Sequence, residues 1–266
     1  MSLANRKHAC AWTIAMLLAG CGAGTQEAGS TEGTGDARSD MPPIHVDQIV
    51  EMLHDGNNEQ RSNYLATVRD CQAAGLPTRP LADADIELLG TTRYELWFDR
   101  DQEVVRTREW RLAADGPAPS CQFHLELTGS QEMQSARSSV QIDLATGERS
   151  ESPADPDGLA RVAAEPDEGV AAQGFKGPER RSVAGQPCNE WTEDEGRFRQ
   201  CVWSGGARWG FTPGGLQDYR PSRDVIVLEQ SPLDGNGVRV TTRTMTVGRP
   251  FDQAALETPR IPATGK

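Results

Sequence analysis

The chain has little of what most enzymes use for catalysis. Only four of its 266 residues are histidines, and neither a Gly-x-Ser-x-Gly nor a His-Glu-x-x-His motif occurs. No segment brings an acid, a base and a nucleophile together, and we expect His45, His54 and His124 to face solvent. The sequence therefore predicts no catalytic residue, although a pair of glycosidase-like carboxylates would leave no motif.

Patterns that bind metals are also missing. No two of the cysteines after residue 21 lie within four residues of each other, as most zinc sites require. The segments 155–158 and 234–237 lack the spaced ligands and closing glutamate of a calcium loop, and we interpret both as turns. The sequence predicts neither a metal nor a cofactor.

Basic residues are scarce relative to acidic ones. The chain has 27 Lys and Arg against 39 Asp and Glu, a net charge of −12. Removing Arg6 and Lys7 with a signal peptide would leave a net charge of about −14. Such an acidic domain is unsuited to nucleic acid and to docking flat on anionic lipid.

Long hydrophobic runs are absent as well. The most apolar stretch is the ten residues from Ala9 to Leu18, which as a helix would cover about 15 Å, half of a bilayer core. Arg6 and Lys7 precede it, and two small residues follow it. This order is typical of a removable signal peptide, which we assign to residues 1–20.

The end of this segment, Leu18-Ala19-Gly20-Cys21, resembles the lipobox of bacterial lipoproteins. The resemblance implies that the chain is cut before Cys21, which then carries a diacylglyceryl group and an acylated amine. Gly22 is not the aspartate that resembles an inner-membrane retention mark, which favours the outer membrane and a domain facing the periplasm. A secreted soluble protein and a cytoplasmic protein, each with an accidental Cys21, are the alternatives.

Four cysteines remain once Cys10 and Cys21 are set aside, and an even number in an oxidising compartment predicts two disulfides. The segment that includes residues 188–201 also has the pattern of a β-hairpin. Folding it about the midpoint between Asp194 and Glu195 leaves residues 193–196 as the turn, where Gly196 supplies a positive φ. This register pairs Cys188 with Cys201, Glu190 with Arg199, and Trp191 with Phe198.

The register places the disulfide and the ion pair on one face and the two aromatic rings on the other, which we expect to point inward. If Cys188 and Cys201 pair in this way, a disulfide between Cys71 and Cys121 follows by elimination. The alternative is that Cys188 and Cys201 form bridges elsewhere.

Hydrophobic spacing in the first part of the chain predicts a tether followed by two helices. Residues 21–43 have few large apolar side chains and are predicted to be a disordered tether. Val46, Ile49, Val50 and Leu53 follow helical spacing. A second helix is predicted over Glu59–Ala74. Its expected inward residues are Tyr64, Leu65, Val68 and Cys71.

The rest of the chain alternates like a set of strands, interrupted by a long loop over residues 146–181 with a short helix at 159–164. We therefore predict an α+β domain over residues 44–262, with two N-terminal helices packed on a curved antiparallel sheet. The predicted strands are 93–98, 103–112, 121–128, 140–144, the hairpin, 207–211, 224–229 and 238–247.

Several aromatic residues cluster in the last part of the sequence. These residues could simply pack in an ordinary hydrophobic core, or they could have a function as the lining of an apolar cavity. The residues in question are Trp191, Phe198, Trp203, Trp209 and Phe211.

Two segments carry a further resemblance. Residues 183–191 with 201–203 resemble a strand pair of uncharacterised periplasmic proteins, and residues 224–251 with Pro259 resemble the closing strands of LolA/LolB-like half-barrels. The half-barrel resemblance implies a curved sheet around a cavity for lipid chains. No ligand-binding residue of that family maps onto this chain.

These observations lead to three hypotheses about function. The first is a membrane-anchored, non-enzymatic binding protein for an apolar ligand or an envelope protein. The second is an anchored hydrolase of envelope material, and the third is a structural component of the envelope. An enclosed apolar cavity would favour the first, two buried carboxylates in a cleft the second, and a filled core the third.

Overall fold

Alternating apolar and polar side chains dominate the chain, and they form one large sheet in a computed structural model. The structure describes residues 36–117, 119–155, 157–164, 174–214 and 218–257, all of which belong to one compact unit spanning residues 34–266. The signal peptide, the lipobox and Cys21 lie outside the described residues.

The described residues form thirteen strands, two α-helices and two short 3₁₀ turns. The strands are β1 Ile44–His54, β2 Asn57–Asn58, β3 Thr78–Arg79, β4 Thr91–Phe98, β5 Gln102–Ala114, β6 Cys121–Ser135, β7 Ser138–Asp143, β8 Arg149–Pro153, β9 Phe175–Val183, β10 Gln186–Glu193, β11 Phe198–Trp203, β12 Val227–Pro232 and β13 Gly237–Val247. The helices are α1 Glu59–Ala73 and α2 Asp83–Leu88, and the 3₁₀ turns are Ala207–Trp209 and Gln253–Leu256.

The strands form a single sheet in the order β8-β7-β6-β5-β4-β1-β13-β12-β11-β10-β9. Neighbours along this path are antiparallel, while the two-residue strand β3 pairs with β6 in parallel. The first and last long strands, β1 and β13, lie side by side in the middle. The architecture is thus mostly antiparallel sheet with few helices, broadly the curved sheet that the sequence predicts.

The main core lies between the middle of the sheet and the strands β10 to β12. Side chains of β1 and β4 pack in one cluster with the Cys188–Cys201 bridge and Trp203, although these strands are several places apart in the sheet. The sheet therefore curves until its β10–β12 end covers one face of β1 and β4. The opposite face of β1 carries His45, Asp47 and Glu51.

The first predicted helix is wrong, because residues 46–53 belong to the central strand β1. The strand is covered on both faces, so Val46 and Val50 are buried on one side and Asp47 and Glu51 on the other. Two covered faces remove the apolar–polar alternation that would reveal a strand. The β-branched residues of β1 still favour an extended backbone.

The second predicted helix is confirmed as α1. Asn58 caps it by accepting a hydrogen bond from the Arg61 amide at 3.0 Å. Tyr64 and Cys71 are buried as expected, and Val68 packs against them. Leu65 is the exception, because its side chain is exposed to solvent.

The predicted loop over residues 146–181 and the strand at 207–211 also need correction. Two strands, β8 and β9, occupy parts of the loop, and the described residues 159–164 form no helix. The segment from Ala207 makes a 3₁₀ turn that ends at Gly210, whose φ is +85°. Trp209 and Phe211 both lie in the main core. The last predicted strand is confirmed as β13.

The hairpin is confirmed, but its register differs by two residues. Trp203 pairs with Cys188, and Cys201 pairs with Glu190, so the turn occupies residues 194–197. The two sulfurs bridge diagonally across the strands, with Cα atoms 5.5 Å apart. The ion pair from Arg199 to Glu190 also forms diagonally, at 3.6 Å.

Candidate functional site

The predicted disulfides are both present. Cys188 is bonded to Cys201, and Cys71 is bonded to Cys121 over a separation of 50 residues. The second bridge joins α1 to β6 beside Tyr64 and Phe123. These four cysteines therefore serve the fold.

The five aromatic residues proposed as cavity lining are packed into two clusters. Trp203, Trp209 and Phe211 belong to the main core, with the rings of Trp203 and Phe211 centred 5.1 Å apart. Trp191 packs on the other side of the hairpin with Phe198, and its indole donates to the Pro213 carbonyl at 2.9 Å. These contacts favour the ordinary-core interpretation of the five rings.

A polar surface is found instead on the opposite face of β1, where arginines from three strands and α1 converge. We call this surface the arginine face. It carries three carboxylates, Asp47, Glu51 and Glu95, each of which is buried. Its arginines are Arg61, Arg93, Arg106, Arg108, Arg239 and Arg243.

The middle of the arginine face is a ladder of ion pairs. Arg93 bridges Asp47 at 2.7 Å and Glu95 at 3.2 Å, while Arg108 also pairs with Glu95. Burial would lower the pKa of Arg93, but its hydrogen bond to Asp47 and the charge of Glu95 outweigh burial and raise that pKa. Glu95 is therefore held between guanidinium groups, while Asp47 pairs with Arg93 alone among the described residues.

One end of the arginine face opens into a pocket of about 460 Å³, which we call the arginine pocket. Glu51 accepts hydrogen bonds there from Arg239 and lies 3.5 Å from Arg61. Burial opposes ionisation of Glu51, but the hydrogen bonds from Arg239 and Asn58 hold its pKa below the ordinary value. Glu51 is therefore ionised at neutral pH. The pocket is lined by Ile49, Glu51, Arg61, Glu87, Leu88, Thr91, Arg239 and Arg243.

Arg243 differs from the other arginines of the pocket. The pairing of β1 with β13 shifts between Asp47 and Gln48, and this bulge leaves Arg243 without a partner residue on β1. Its side chain is exposed and makes no ion pair with any residue in the described parts of the chain. Arg243 therefore lines the pocket without an ion-pair partner among the described residues.

A smaller pocket of about 270 Å³ adjoins the arginine pocket and shares Glu51 and Thr91 with it. Three of the apolar side chains in its wall are Met52, Trp110 and Val238. Met52 and Val238 alternate with Glu51 and Arg239 along β1 and β13, so these two apolar side chains point to the opposite face of the sheet from the arginine pocket.

A second charged group lies at the other end of β1, and we call it the Glu103 cluster. Glu103 accepts from Arg38 at 2.5 Å, from Arg161 at 2.8 Å and from Arg223 at 2.7 Å. Arg161 also lies over the ring of Phe211, 4.4 Å from its centre. The cluster ties three segments that are distant in sequence to β5.

Arg38 shows that the predicted tether ends earlier than Pro43. Arg38 and Met41 are 2% and 4% exposed, and the Ala37 amide donates to the Arg161 carbonyl. Residues 36–43 therefore belong to the folded domain. Their few apolar side chains concealed this, because a buried ion cluster rather than hydrophobic burial holds them.

The three histidines lie in different surroundings. His54 is exposed, and His124 is half-exposed beside Asp115, with 3.1 Å between Nδ1 and Oδ1. His45 departs from the expectation of a solvent-facing residue, because its ring stacks on the buried Trp97 with centroids 5.1 Å apart.

The geometry offers little acid–base chemistry within the described residues. Each carboxyl group whose pKa departs from its ordinary value departs downward, as at Glu51 and Glu103, whereas a general acid needs a raised pKa. Burial raises the pKa of Tyr94 to about 12, so this phenol stays protonated. Across these same residues, no group of three or more histidine, cysteine, aspartate or glutamate side chains is placed to hold a metal.

The patterns in the sequence do not predict the arginine face, although the sequence contains one signal of it. Of the 27 basic residues only three are lysines, Lys7, Lys176 and Lys266. Arginine presents a planar fork that suits buried pairing with carboxylates, whereas lysine is a compact point charge. Such a bias indicates buried ion pairs on a sheet, but it does not identify their partners.

The helices of the described residues are all too short or too polar to cross a membrane. In the comparisons with known proteins, no family model and no curated protein matches this chain.

Proposed function

We propose that this protein is a lipoprotein of the cell envelope, anchored through Cys21 to the outer membrane, whose periplasmic domain binds a partner without catalysing a reaction. The lipobox resemblance supports the anchor, and the arginine pocket supports the binding role. The observation that carries the proposal is Arg243, an exposed arginine at a bulge in the central strands that lines an open pocket and forms no ion pair with any described residue.

A surface site fits the geometry better than an interior one. The aromatic residues that could have lined an internal cavity pack against each other and against the Cys188–Cys201 bridge. The buried carboxylates of the arginine face are engaged by guanidinium groups, which leaves them unsuited to a hydrolase. Recognition at the arginine pocket therefore takes the place of both an enclosed lipid cavity and a catalytic cleft.

The anchor is tested by Cys21→Ser in the full-length precursor. The variant cannot accept a diacylglyceryl group, so we expect it to leave the membrane fraction and appear in the soluble fraction. Membrane fractionation with antibody detection measures this. Firm attachment of the variant to membranes would exclude the lipoprotein assignment.

The binding role is tested by photo-crosslinking in living cells. A photoreactive phenylalanine analogue at Leu88, in the wall of the arginine pocket, should form covalent adducts with a partner. The same analogue at Leu65, which is exposed on the outer side of α1, is the matched control. Adducts from Leu65 alone, or from neither position, would show that the pocket is not the binding surface.

A further inference from the structure

We infer that the ligand group recognised by the arginine pocket is a carboxylate attached to a short apolar body, such as a medium-chain fatty acid or the C-terminus of an apolar peptide. This inference rests on the binding role proposed above and adds the chemistry of the ligand.

The charge of the pocket favours a single negative charge. Three guanidinium groups, those of Arg61, Arg239 and Arg243, face two carboxylates, Glu51 and Glu87. Glu51 is ionised, so one positive charge is left uncompensated. A monoanion neutralises that charge, whereas a dianion would bring excess negative charge close to Glu51.

The free donors of the pocket also suit a carboxylate. Arg61 donates hydrogen bonds from Nε to the Ile86 carbonyl at 2.9 Å and from Nη2 to the Glu87 carbonyl at 2.8 Å. Arg239 directs Nε and Nη2 to Glu51. Arg243 keeps its whole fork available, and two parallel N–H groups match the two oxygens of a carboxylate.

The apolar part of the ligand has a place beside this fork. Ile49 and Leu88 line the arginine pocket together with Arg243. The volume of this pocket, about 460 Å³, falls within the size range of small-molecule sites. The two apolar side chains would contact a body of a few carbon atoms and leave its carboxylate facing Arg243.

The pocket lies far from the point where the N-terminal segment enters the domain. The Glu103 cluster holds the N-terminal segment beside Ile44, at the start of β1. Glu51 lies seven residues further along this strand, or about 24 Å away. The pocket is thus at the opposite end of β1 from the point where the lipid tether joins the domain.

The test is calorimetric titration of the full mature chain with four matched organic probes and, separately, with inorganic phosphate. Octanoate and N-acetyl-Ala-Ala-Leu carry the carboxylate, while octanamide and the same peptide with an amidated C-terminus lack it. We expect the two acids to bind and their amides not to bind. A preference between the acids distinguishes a fatty acid from a peptide terminus as the source of the group.

Arg243→Gln should weaken binding of the preferred acid about tenfold or more, because it removes hydrogen bonds to a charged group. Arg249→Gln, which removes the same charge from an exposed position outside the pocket, should leave binding unchanged. Equal binding of acids and amides, equal or tighter binding of inorganic phosphate, or equal loss in both variants would overturn the inference. Pocket adducts in cells together with any of these results would leave the binding role standing and reject only the carboxylate.

Discussion

His45 illustrates how the surroundings of one residue in this sheet decide its charge. Its ring stacks on Trp97, and its Nε2 atom is buried without a hydrogen-bond partner among the described residues. Burial lowers the pKa of His45, and although the charges of Asp47 and Glu95 oppose this effect, they do not cancel it. His45 is therefore a neutral base at pH 7, next to a ladder of charged groups.

This arrangement predicts a loss of stability in mild acid. The unfolded chain binds a proton at His45 near pH 6.5, whereas the folded chain binds it only at lower pH, so folding is penalised as the pH falls below about 6.5. His45→Gln should reduce the fall in unfolding free energy between pH 7.5 and 5.5, measured by urea titration. His54→Gln, at an exposed histidine, is the control and should show the same fall in unfolding free energy as the native protein. An unchanged pH dependence in His45→Gln would contradict the assignment.

The structural roles of individual residues could be predicted from the sequence only in part. The four disulfide cysteines follow from the count and the hairpin pattern, and the structure confirms both bridges. Arg243 could not be identified in this way, because its isolation arises from a bulge between strands that are almost 200 residues apart in sequence. A single sequence contains no local signal for such a register shift.

The elements were predictable wherever their pattern was local. α1 has a capping residue, helical spacing and a glycine stop, and it forms as expected. Helical spacing predicts the wrong element for β1. Both faces of this strand are covered, one by the core and one by ion pairs, so apolar and polar residues do not alternate along it. The predicted hairpin register differs from the observed one by two residues. The prediction assumes that a disulfide and an ion pair join residues directly opposite each other, but both also form diagonally across strands.

The two disulfides should differ in what their removal does to these elements. Few side chains of α1 are buried, so Cys71–Cys121 is its main link to β6. The change in chain entropy gives about 4 kcal/mol for a loop of 50 residues and about 3 kcal/mol for a loop of 13. We therefore expect Cys71→Ala with Cys121→Ala to cost more stability than removal of the hairpin bridge.

Hydrogen exchange locates this effect. In the variant without Cys71–Cys121, the amides of α1 should exchange markedly faster, while those of β10 and β11 stay protected. The variant with Cys188→Ala and Cys201→Ala serves as the control, with α1 unchanged. If α1 keeps its protection without its disulfide, its attachment rests on the packing of Tyr64 against Phe123 instead.

At the scale of the whole molecule, the Glu103 cluster fixes where the chain enters the domain. The predicted tether of residues 21–43 shortens, because the fold begins at residue 36 or earlier. The covalent path from Cys21 to Asp36 is fifteen residues, which span at most about 50 Å. The entry point and the arginine pocket lie at opposite ends of β1, so the two are separated by about the length of this strand.

Glu103→Gln should release this entry point. Burial alone would raise the pKa of Glu103, but the charges of Arg161 and Arg223 hold it below the ordinary value, so the native carboxylate compensates three guanidinium groups. Removing that charge leaves buried cations unpaired, which costs about 3–5 kcal/mol. Residues 36–43 should then detach, and trypsin should cleave after Arg38, which is protected in the native protein because it is 2% exposed.

Limited proteolysis with mass spectrometry measures this cleavage, and urea titration measures the stability. Glu132→Gln is the matched control, since this glutamate is also on a strand but is exposed and forms no ion pair with any described residue. Acid should reproduce the effect in the native protein: the Glu103 contribution is complete above the ordinary pKa of 4.5 and is lost as the pH falls through the lower folded value. If trypsin cleaves Glu103→Gln after Arg38 no faster than it cleaves Glu132→Gln, hydrophobic packing around Met41 holds the entry point, and the Glu103 cluster is not needed to hold it.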